Sequence, residues 1–366
     1  MKNLLKYSFV LLTSLPFLGL VLCYIAPHVN PDSSRIFVIL AYGYPYIFLV
    51  ALATLFLVLF TGKWKLLASY ALIVLLGWNL HTQYYAIGSA SDDTKDSFKI
   101  MSYNVRSFDL YENMNVGPLL VRDSILNYIQ GEAPEILCFQ EFFYEDRPRQ
   151  FMTLKQIKSR FQLPFHAGSF VTGTNKNTFF GCAIFSKFPI INQGTIDLES
   201  KSSNHCVFAD IQIDSSIIRV YNFHIGSISF NELDYAVFEE FEMDVNEVDQ
   251  NKAKNLIRRF LAASRTRATQ LRLILEHAAT SEHPVILCGD LNDTPTSYAY
   301  RQLKTKYSDA FHQVGNGFGR TYVGKMPSNR IDYVFYDKAF EALNFTLQNE
   351  VLSDHKAIGV RMVLNQ

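Results

Sequence analysis

The stretch "HPVILCGDLNDTP", His283 to Pro295, changes character halfway along. Val285, Ile286, Leu287 and Cys288 form a continuous apolar run of the kind that makes a strand buried on both faces. Asp290, Asn292, Asp293 and Thr294 then follow, with Gly289 before them and Pro295 after. Gly, Asp, Asn and Pro are turn residues, so a turn explains them unless other strands end in the same way.

Other strands do. From Phe98 onward, apolar strand runs alternate with helical patterns. The strand candidates are "FKIMSYNV", "EILCFQEF", "GCAIFSKFPI", "HCVFADIQI", "IIRVYNFHI", "PVILCGDL", "RIDYVFYD" and "AIGVRMVL". Helices are expected over 119–131, 149–161, 251–279 and 297–306; the longest carries Leu256, Ile257, Phe260, Leu261, Leu271, Ile274 and Leu275 at helical spacing. Strands and helices interleave, yet several strands follow one another directly, which argues for a layered α/β sandwich with mixed sheets. At the ends of these runs stand Asn104, Glu141, His224, Asp290 and Asn292; Asp332 interrupts "RIDYVF", and Asp354 and His355 precede the last strand. Strand ends in layered α/β folds are where ligands gather.

These residue types suit metal-assisted attack on phosphorus. Oxygen ligands such as Asn104, Glu141, Asp290 and Asp354 favour a hard cation, Mg²⁺ or Mn²⁺. No Cys lies among them and no HExxH is present, which argues against structural or protease-type zinc. A histidine is then free to act as a base, given a carboxylate to fix its tautomer.

The ordered set "SYNV", "FQEF", "NFH", "CGDLNDTP", "RIDYVF" and "SDH" resembles the endonuclease/exonuclease/phosphatase superfamily over about residues 98 to 364. The resemblance implies a four-layer α/β/β/α sandwich, two mixed β-sheets flanked by helices. It implies a metal held by Glu141, Asn104 and Asp354, and His355 as general base paired with Asp332. It implies Asp290 and Asn292 positioning the nucleophile and the phosphate, with His224 donating to a phosphate oxygen. Asn222 has the same strand parity as His224 and is expected to assist in substrate binding. Tyr322 in "GRTYVG" is a candidate substrate contact, and Asp293 reads as a turn residue. A non-catalytic binding module with a decayed site would show gaps in the motif set; it shows none.

Residues 1–88 lie outside this resemblance. Residues 7–26 and 36–60 lack charged residues, and 66–87 has only His81 as a titratable group. About 20 apolar residues cross a bilayer core of about 30 Å, so three transmembrane helices are expected before a polar linker, 89–97. Lys2 and Lys6 flank the first stretch and Lys63 and Lys65 the second loop, against Arg35 alone in the first loop. By the positive-inside rule the catalytic domain lies on the non-cytoplasmic side, the periplasmic side of a bacterial inner membrane. Five cysteines are present; Cys182 and Cys206 open two strand-like segments that could form a disulfide in an oxidising compartment.

Substrate class follows from charge. From Phe98 to the end there are 28 Lys and Arg against 30 Asp and Glu, and Asn231 to Asp249 holds eight acidic residues and no basic one. A protein gripping a nucleic-acid backbone shows a basic excess. With a tether that holds the domain near a bilayer surface, the expected substrate is a phosphate ester, a phosphodiester before a monoester, on a lipid headgroup or a small soluble molecule; a membrane-tethered nuclease acting on DNA or RNA is the alternative.

Overall fold

The computed structural model describes residues 2–91, 96–110, 117–147, 151–173, 175–199, 204–227, 250–324 and 329–365. The acidic stretch at 231–249 lies outside the described residues.

Four helices come first: α1 (Lys2–Ile25), α2 (Arg35–Leu59), α3 (Trp64–Leu76) and α4 (Trp78–His81). Two of these segments, Lys6–His28 and Arg35–Leu59, are long and apolar enough to cross a membrane. The third expected span is not one continuous helix. Thirteen residues of α3 cover about 20 Å at 1.5 Å per residue; the helix then breaks at Gly77, where the Tyr24 hydroxyl would meet any Cβ. Strand β1 (Tyr85–Ile87) follows.

Helix α3 runs alongside α1 in the same direction. The Lys63 ammonium sits 3.4 Å from the centre of the Phe9 ring, the Tyr70 hydroxyl lies 2.8 Å from Ser14 Oγ, and the Tyr24 hydroxyl donates to the Ile73 carbonyl at 3.1 Å. Helix α2 runs the opposite way, with Cys23 beside the Leu40 carbonyl.

The remaining chain supplies strands β2 (Phe98–Asn104), β3 (Ile136–Glu145), β4 (Phe165–Thr172), β5 (Thr178–Ser186), β6 (Ile190–Thr195), β7 (His205–Ile213), β8 (Ser216–His224) and β9 (Val285–Asp290). They are followed by β10 (Ser308–Asp309), β11 (Asn316–Phe318), β12 (Asp332–Tyr336), β13 (Phe340–Leu347) and β14 (Ile358–Leu364). One six-stranded sheet has the order β13-β14-β2-β3-β5-β4, the other β10-β12-β9-β8-β7-β6, and β1 pairs with β11. Each large sheet is mixed: β2–β3 and β8–β9 are parallel, and the other pairs are antiparallel.

Three cores separate four layers. Ile100, Cys138 and Ile184 of one sheet meet Val207, Val220 and Cys288 of the other. Helices α5 (Pro118–Glu132) and α6 (Leu154–Phe161) cover the outer face of the first sheet through Ile125, Ile129 and Ile157. Helices α7 (Gln250–Ala278) and α8 (Tyr298–Lys304) cover the second through Leu271, Ile274 and Leu303; a short α9 (Ala310–Val314) follows. Cys182 lies in the core between the sheets and Cys206 in the core beneath α7 and α8, and all five cysteines are free and buried, so the disulfide these two could have formed is absent.

Gly289 explains the glycine of the opening stretch. Its φ is 140°, and a Cβ there would lie 2.0 Å from the Phe223 carbonyl oxygen of β8. Only a residue without a side chain lets β9 approach β8 at the point where Asp290 draws level with His224. Gly289→Ala should therefore destabilise the fold by about 3 kcal/mol or more. A chemical-denaturation midpoint within error of the parent protein would contradict this account.

Candidate active site

Register places three polar residues in one row across the second sheet. His224 on β8 pairs with Asp290 on β9, and Asp290 pairs with Asp332 on β12. His205, at the start of β7, extends the row beside His224. The first sheet offers Asn104 at the end of β2 and Glu141 on β3.

Glu141 reaches the site because β3 bulges. Phe139 pairs with Ala183 and Phe142 with Gly181, so Gln140 and Glu141 together oppose Cys182. Glu141 takes φ 46°, a left-handed conformation that redirects its side chain. Gln140 points between the sheets instead, bonding Ser102 Oγ at 3.0 Å and Asn222 Oδ1 at 2.6 Å.

The contacts converge on Asp290. Its Oδ1 accepts from the Asn292 backbone N–H at 2.7 Å, and its Oδ2 accepts from Asn104 Nδ2 at 3.0 Å. His224 Nε2 and His355 Nε2 each lie 3.7 Å from the same Oδ2. Asn104 Nδ2 also approaches Glu141 Oε1 at 3.2 Å, and His224 Nε2 is 3.6 Å from that oxygen. His355 Nδ1 is 2.9 Å from Asp332 Oδ2, which makes a buried His–Asp pair. Asp354 faces Arg106, whose Nε is 3.4 Å from Oδ2.

Burial and crowding shape the protonation equilibria. Burial, with Asp332 adding to it, pushes the Asp290 carboxyl up to about 6. Burial and then the Asp354 charge raise Glu141. Burial lowers His224. It also pulls on His355, but the charges of Asp332 and Asp290 outweigh it and lift that imidazole well above its usual range.

The donors fit a hard cation. Carboxylates from Glu141, Asp290, Asp332 and Asp354 face this region, and among the described residues the buried Asp332 Oδ1 has no hydrogen-bond partner. Ligand atoms of Asp290, Asp332 and His355 all lie within 4.8 Å of one another, a buried group that could hold a metal ion. This trio differs from the expected set of Glu141, Asn104 and Asp354, in which Asn104 and Glu141 adjoin each other and Asp354 is engaged by Arg106.

Two expectations need correction. Asn222 has the parity of His224 but lies one pleat deeper, fully buried. Its amide donates to the Phe139 and Ala183 carbonyls at 2.8 and 2.9 Å and accepts from Gln140. It fastens the two sheets together and has no atom left for a substrate. Asp293 makes its turn, accepting from the Thr294 N–H at 3.0 Å, but it is also wholly buried, with Oδ2 3.2 Å from the Arg267 guanidinium. Asn292 takes φ 53° and donates to the Ile225 carbonyl at 3.2 Å, which joins the loops after β8 and β9. The Tyr322 ring meets His355 edge-on at 5.3 Å.

Sequence reading missed several contributors. Arg106 opens a run of four non-glycine residues with positive φ, Arg106 to Asp109, and its N–H donates to Asn104 Oδ1 at 3.0 Å. Ser353 Oγ donates to the Asn104 carbonyl at 3.1 Å, tying the loop of Asp354 and His355 to β2. His205 is pulled down to about 4 by burial and by His224, and its Nδ1 lies 2.9 Å from Ser169 Oγ. The one available signal was that His205 opens a strand as His224 closes one.

The geometry agrees with comparisons to known proteins. The family described as "Endonuclease/Exonuclease/phosphatase family" matches residues 101–355, and a domain of unknown function matches residues 6–84. None of the curated proteins compared matches this chain. Among solved structures, an endonuclease/exonuclease/phosphatase from Beutenbergia cavernae is similar at 16% identity and TM-score 0.54, covering 74% of this chain and 72% of its own. The human Nocturnin catalytic domain with bound sulfate is 18% identical, with TM-score 0.51 and coverage of 75% and 96%. A mannosyl-6-phosphatase of Bacteroides thetaiotaomicron is 18% identical, with TM-score 0.51 and coverage of 73% and 100%. At these identities the structures speak for the fold, and the family match spans most of the chain. The buried His–Asp pair and the carboxylates around Asp290 thus stand in a protein that belongs to the endonuclease/exonuclease/phosphatase family, hydrolases acting on phosphoester bonds.

Proposed function

We propose that the protein is a membrane-anchored, divalent-metal-dependent phosphoesterase that hydrolyses a phosphodiester by in-line attack of water. The observation that carries this reading is the convergence of His224, Asp290 and Asp332 from one sheet with Asn104 and Glu141 from the other, around the 2.9 Å His355–Asp332 pair.

With Nδ1 engaged by Asp332, His355 turns Nε2 towards Asp290, so in the neutral imidazole, the form gained as pH rises through the raised His355 equilibrium, Nε2 is the atom that takes the proton from the attacking water. Asp332 holds the tautomer and stabilises the imidazolium that forms. Asp290 and Asn292, locked by their own turn, position the nucleophile and the phosphate. His224 Nε2, lying between Glu141 and Asp290, donates to a phosphate oxygen. A Mg²⁺ or Mn²⁺ ion held by Glu141, Asn104 and Asp354 would neutralise charge developing on the phosphoryl group.

The balance of 28 basic against 30 acidic residues from Phe98 onward supports a lipid headgroup or small soluble diester over a nucleic acid. Placement of the catalytic domain opposite the N-terminus takes the short α3 with α4 as a third crossing beside the two crossing-length helices; what supports it is that the chain runs from Lys63, beside Phe9 in the first third of α1, to Gly77, beside Tyr24 at its end.

Three outcomes test the proposal. The full-length protein in detergent should hydrolyse bis-p-nitrophenyl phosphate with Mg²⁺ or Mn²⁺. Chelation should abolish turnover, and a panel of DNA, sphingomyelin, phosphoinositide and soluble esters should rank substrates; turnover indifferent to chelator would sink the metal role. His355→Ala should lower kcat by about 10²- to 10⁴-fold, and near-parental kcat would remove His355 as the base. A reporter fused after Gln366 should read out on the non-cytoplasmic side, and a cytoplasmic signal would reverse the placement.

A further inference from the structure

The loops that carry the chemistry are fastened from behind to the N-terminal bundle. After β8, the Gly226 carbonyl accepts from Arg267 Nε at 3.1 Å, and the Gly226 N–H donates to Gln270 Oε1 at 2.9 Å. After β9, Asp293 pairs with Arg267 Nη1 at 3.2 Å. That same Nη1 donates to the Tyr42 hydroxyl on α2 at 2.5 Å. Arg267 thus joins the loop of His224, the loop of Asp290 and Asn292, and a helix of the bundle. It has no solvent exposure, and among the described residues its Nη2 has no hydrogen-bond partner. A guanidinium buried this way has few ways to relax when one partner is lost.

A second fastening lies beside the first. Thr296 Oγ1 donates to the Ala41 carbonyl of α2 at 2.7 Å and sits 2.7 Å from the Tyr84 hydroxyl. A third reaches the approach to Asp332: Arg330 Nη2 donates to the Gln83 carbonyl at 2.9 Å, while the Tyr333 hydroxyl ties the Arg330 and Asp293 carbonyls at 2.7 and 2.8 Å. Ala41, Tyr42, Gln83 and Tyr84 all belong to the segment outside the catalytic sandwich.

We infer that Tyr42 and Thr296 are positioning residues, through which the N-terminal bundle sets the geometry of the loops bearing His224, Asp290 and Asn292. The bundle in this account is part of the active-site scaffold as well as an anchor. A displacement of about 1 Å in such loops costs on the order of 10²-fold in rate. The catalytic half of the inference rests on the hydrolase reading above; the structural half does not.

The test uses the full-length protein in detergent micelles, with Tyr42→Phe and Thr296→Val, each of which removes a hydroxyl and keeps the bulk. Hydrogen exchange of the amides at 225–227 and 292–296 should accelerate at least about tenfold in both variants, with β2 and β3 unchanged. With Mg²⁺ and bis-p-nitrophenyl phosphate, kcat should fall about 10- to 100-fold while KM stays within about threefold. Thr296→Ser, which keeps the hydroxyl, should restore both. Unchanged exchange in the two loops overturns the inference, as does faster exchange spread evenly over the domain or loosened loops with parental kcat. If the parent protein turns over no phosphoester, the hydrolase reading fails on its own, and the exchange pattern still decides whether the bundle holds the loops.

Discussion

The Asn104–Asp290 hydrogen bond is the point on which the structure turns. A fully buried carboxylate is costly to hold unless its lone pairs are met. Asp290 engages one oxygen through its own turn and the other through an amide that belongs to the opposite sheet. A one-residue slip in either sheet would send these side chains to the other face and part the two groups. The contact that sets the sheets against each other therefore also assembles the site. Asn222, one pleat below, repeats the arrangement with Gln140 and two carbonyls of the first sheet. Together they form a polar seam through an otherwise apolar interface. Its inner end is held by protein partners through Gln140 Nε2 and the Asn222 amide, while its outer end is at Asp290.

Much of this was legible in the sequence, because an apolar run that stops at Asn104, His224 or Asp290 announces a strand end. What those strands lie beside was not. The row His205–His224–Asp290–Asp332 exists only once register is set between strands far apart in the chain. Parity placed Asn222 on the correct face but carried no information about depth. Glu141 was found as a residue, yet simple alternation would send it to the face opposite Gln140. The bulge that redirects it depends on pairing with β5, which no local pattern records. Arg106 to Asp109 turn left-handed without a single glycine to mark them. Arg267 and Arg330 look like surface bases on a helix and in a loop; both are buried, and both hold the backs of catalytic loops.

The N-terminal region shows the same division between composition and geometry. Apolar length marked the helices, but the break at Gly77 comes from packing against Tyr24, a residue more than fifty positions away. The short α3 still follows α1, held by Tyr70 on Ser14 and Tyr24 on the Ile73 carbonyl, and α4 and the residues to Tyr84 then carry the chain on to the domain. The same end of the bundle supplies Ala41 and Tyr42. A connection that looked like a tether followed by a linker is, at its base, a set of buried hydrogen bonds.

Charge gives the last step. Glu141, Asp290, Asp332 and Asp354 gather in one region, and in the proposed reading an anionic ester sits among them, where repulsion is stronger than in water because the surroundings are of low dielectric. Arg106 is taken up by Asp354, while Arg267 and Arg330 are paired with Asp293 and Asp309 behind the loops. In the proposed reading, the positive charge that meets the phosphate is therefore brought by a hard cation on oxygen ligands more than by the protein's own bases. A surface with as many acids as bases then ceases to be uninformative. Affinity concentrated at one cation favours a substrate with one phosphodiester to present. A polyanion would gain little from the remainder of the surface, since it owes its binding to many dispersed basic contacts.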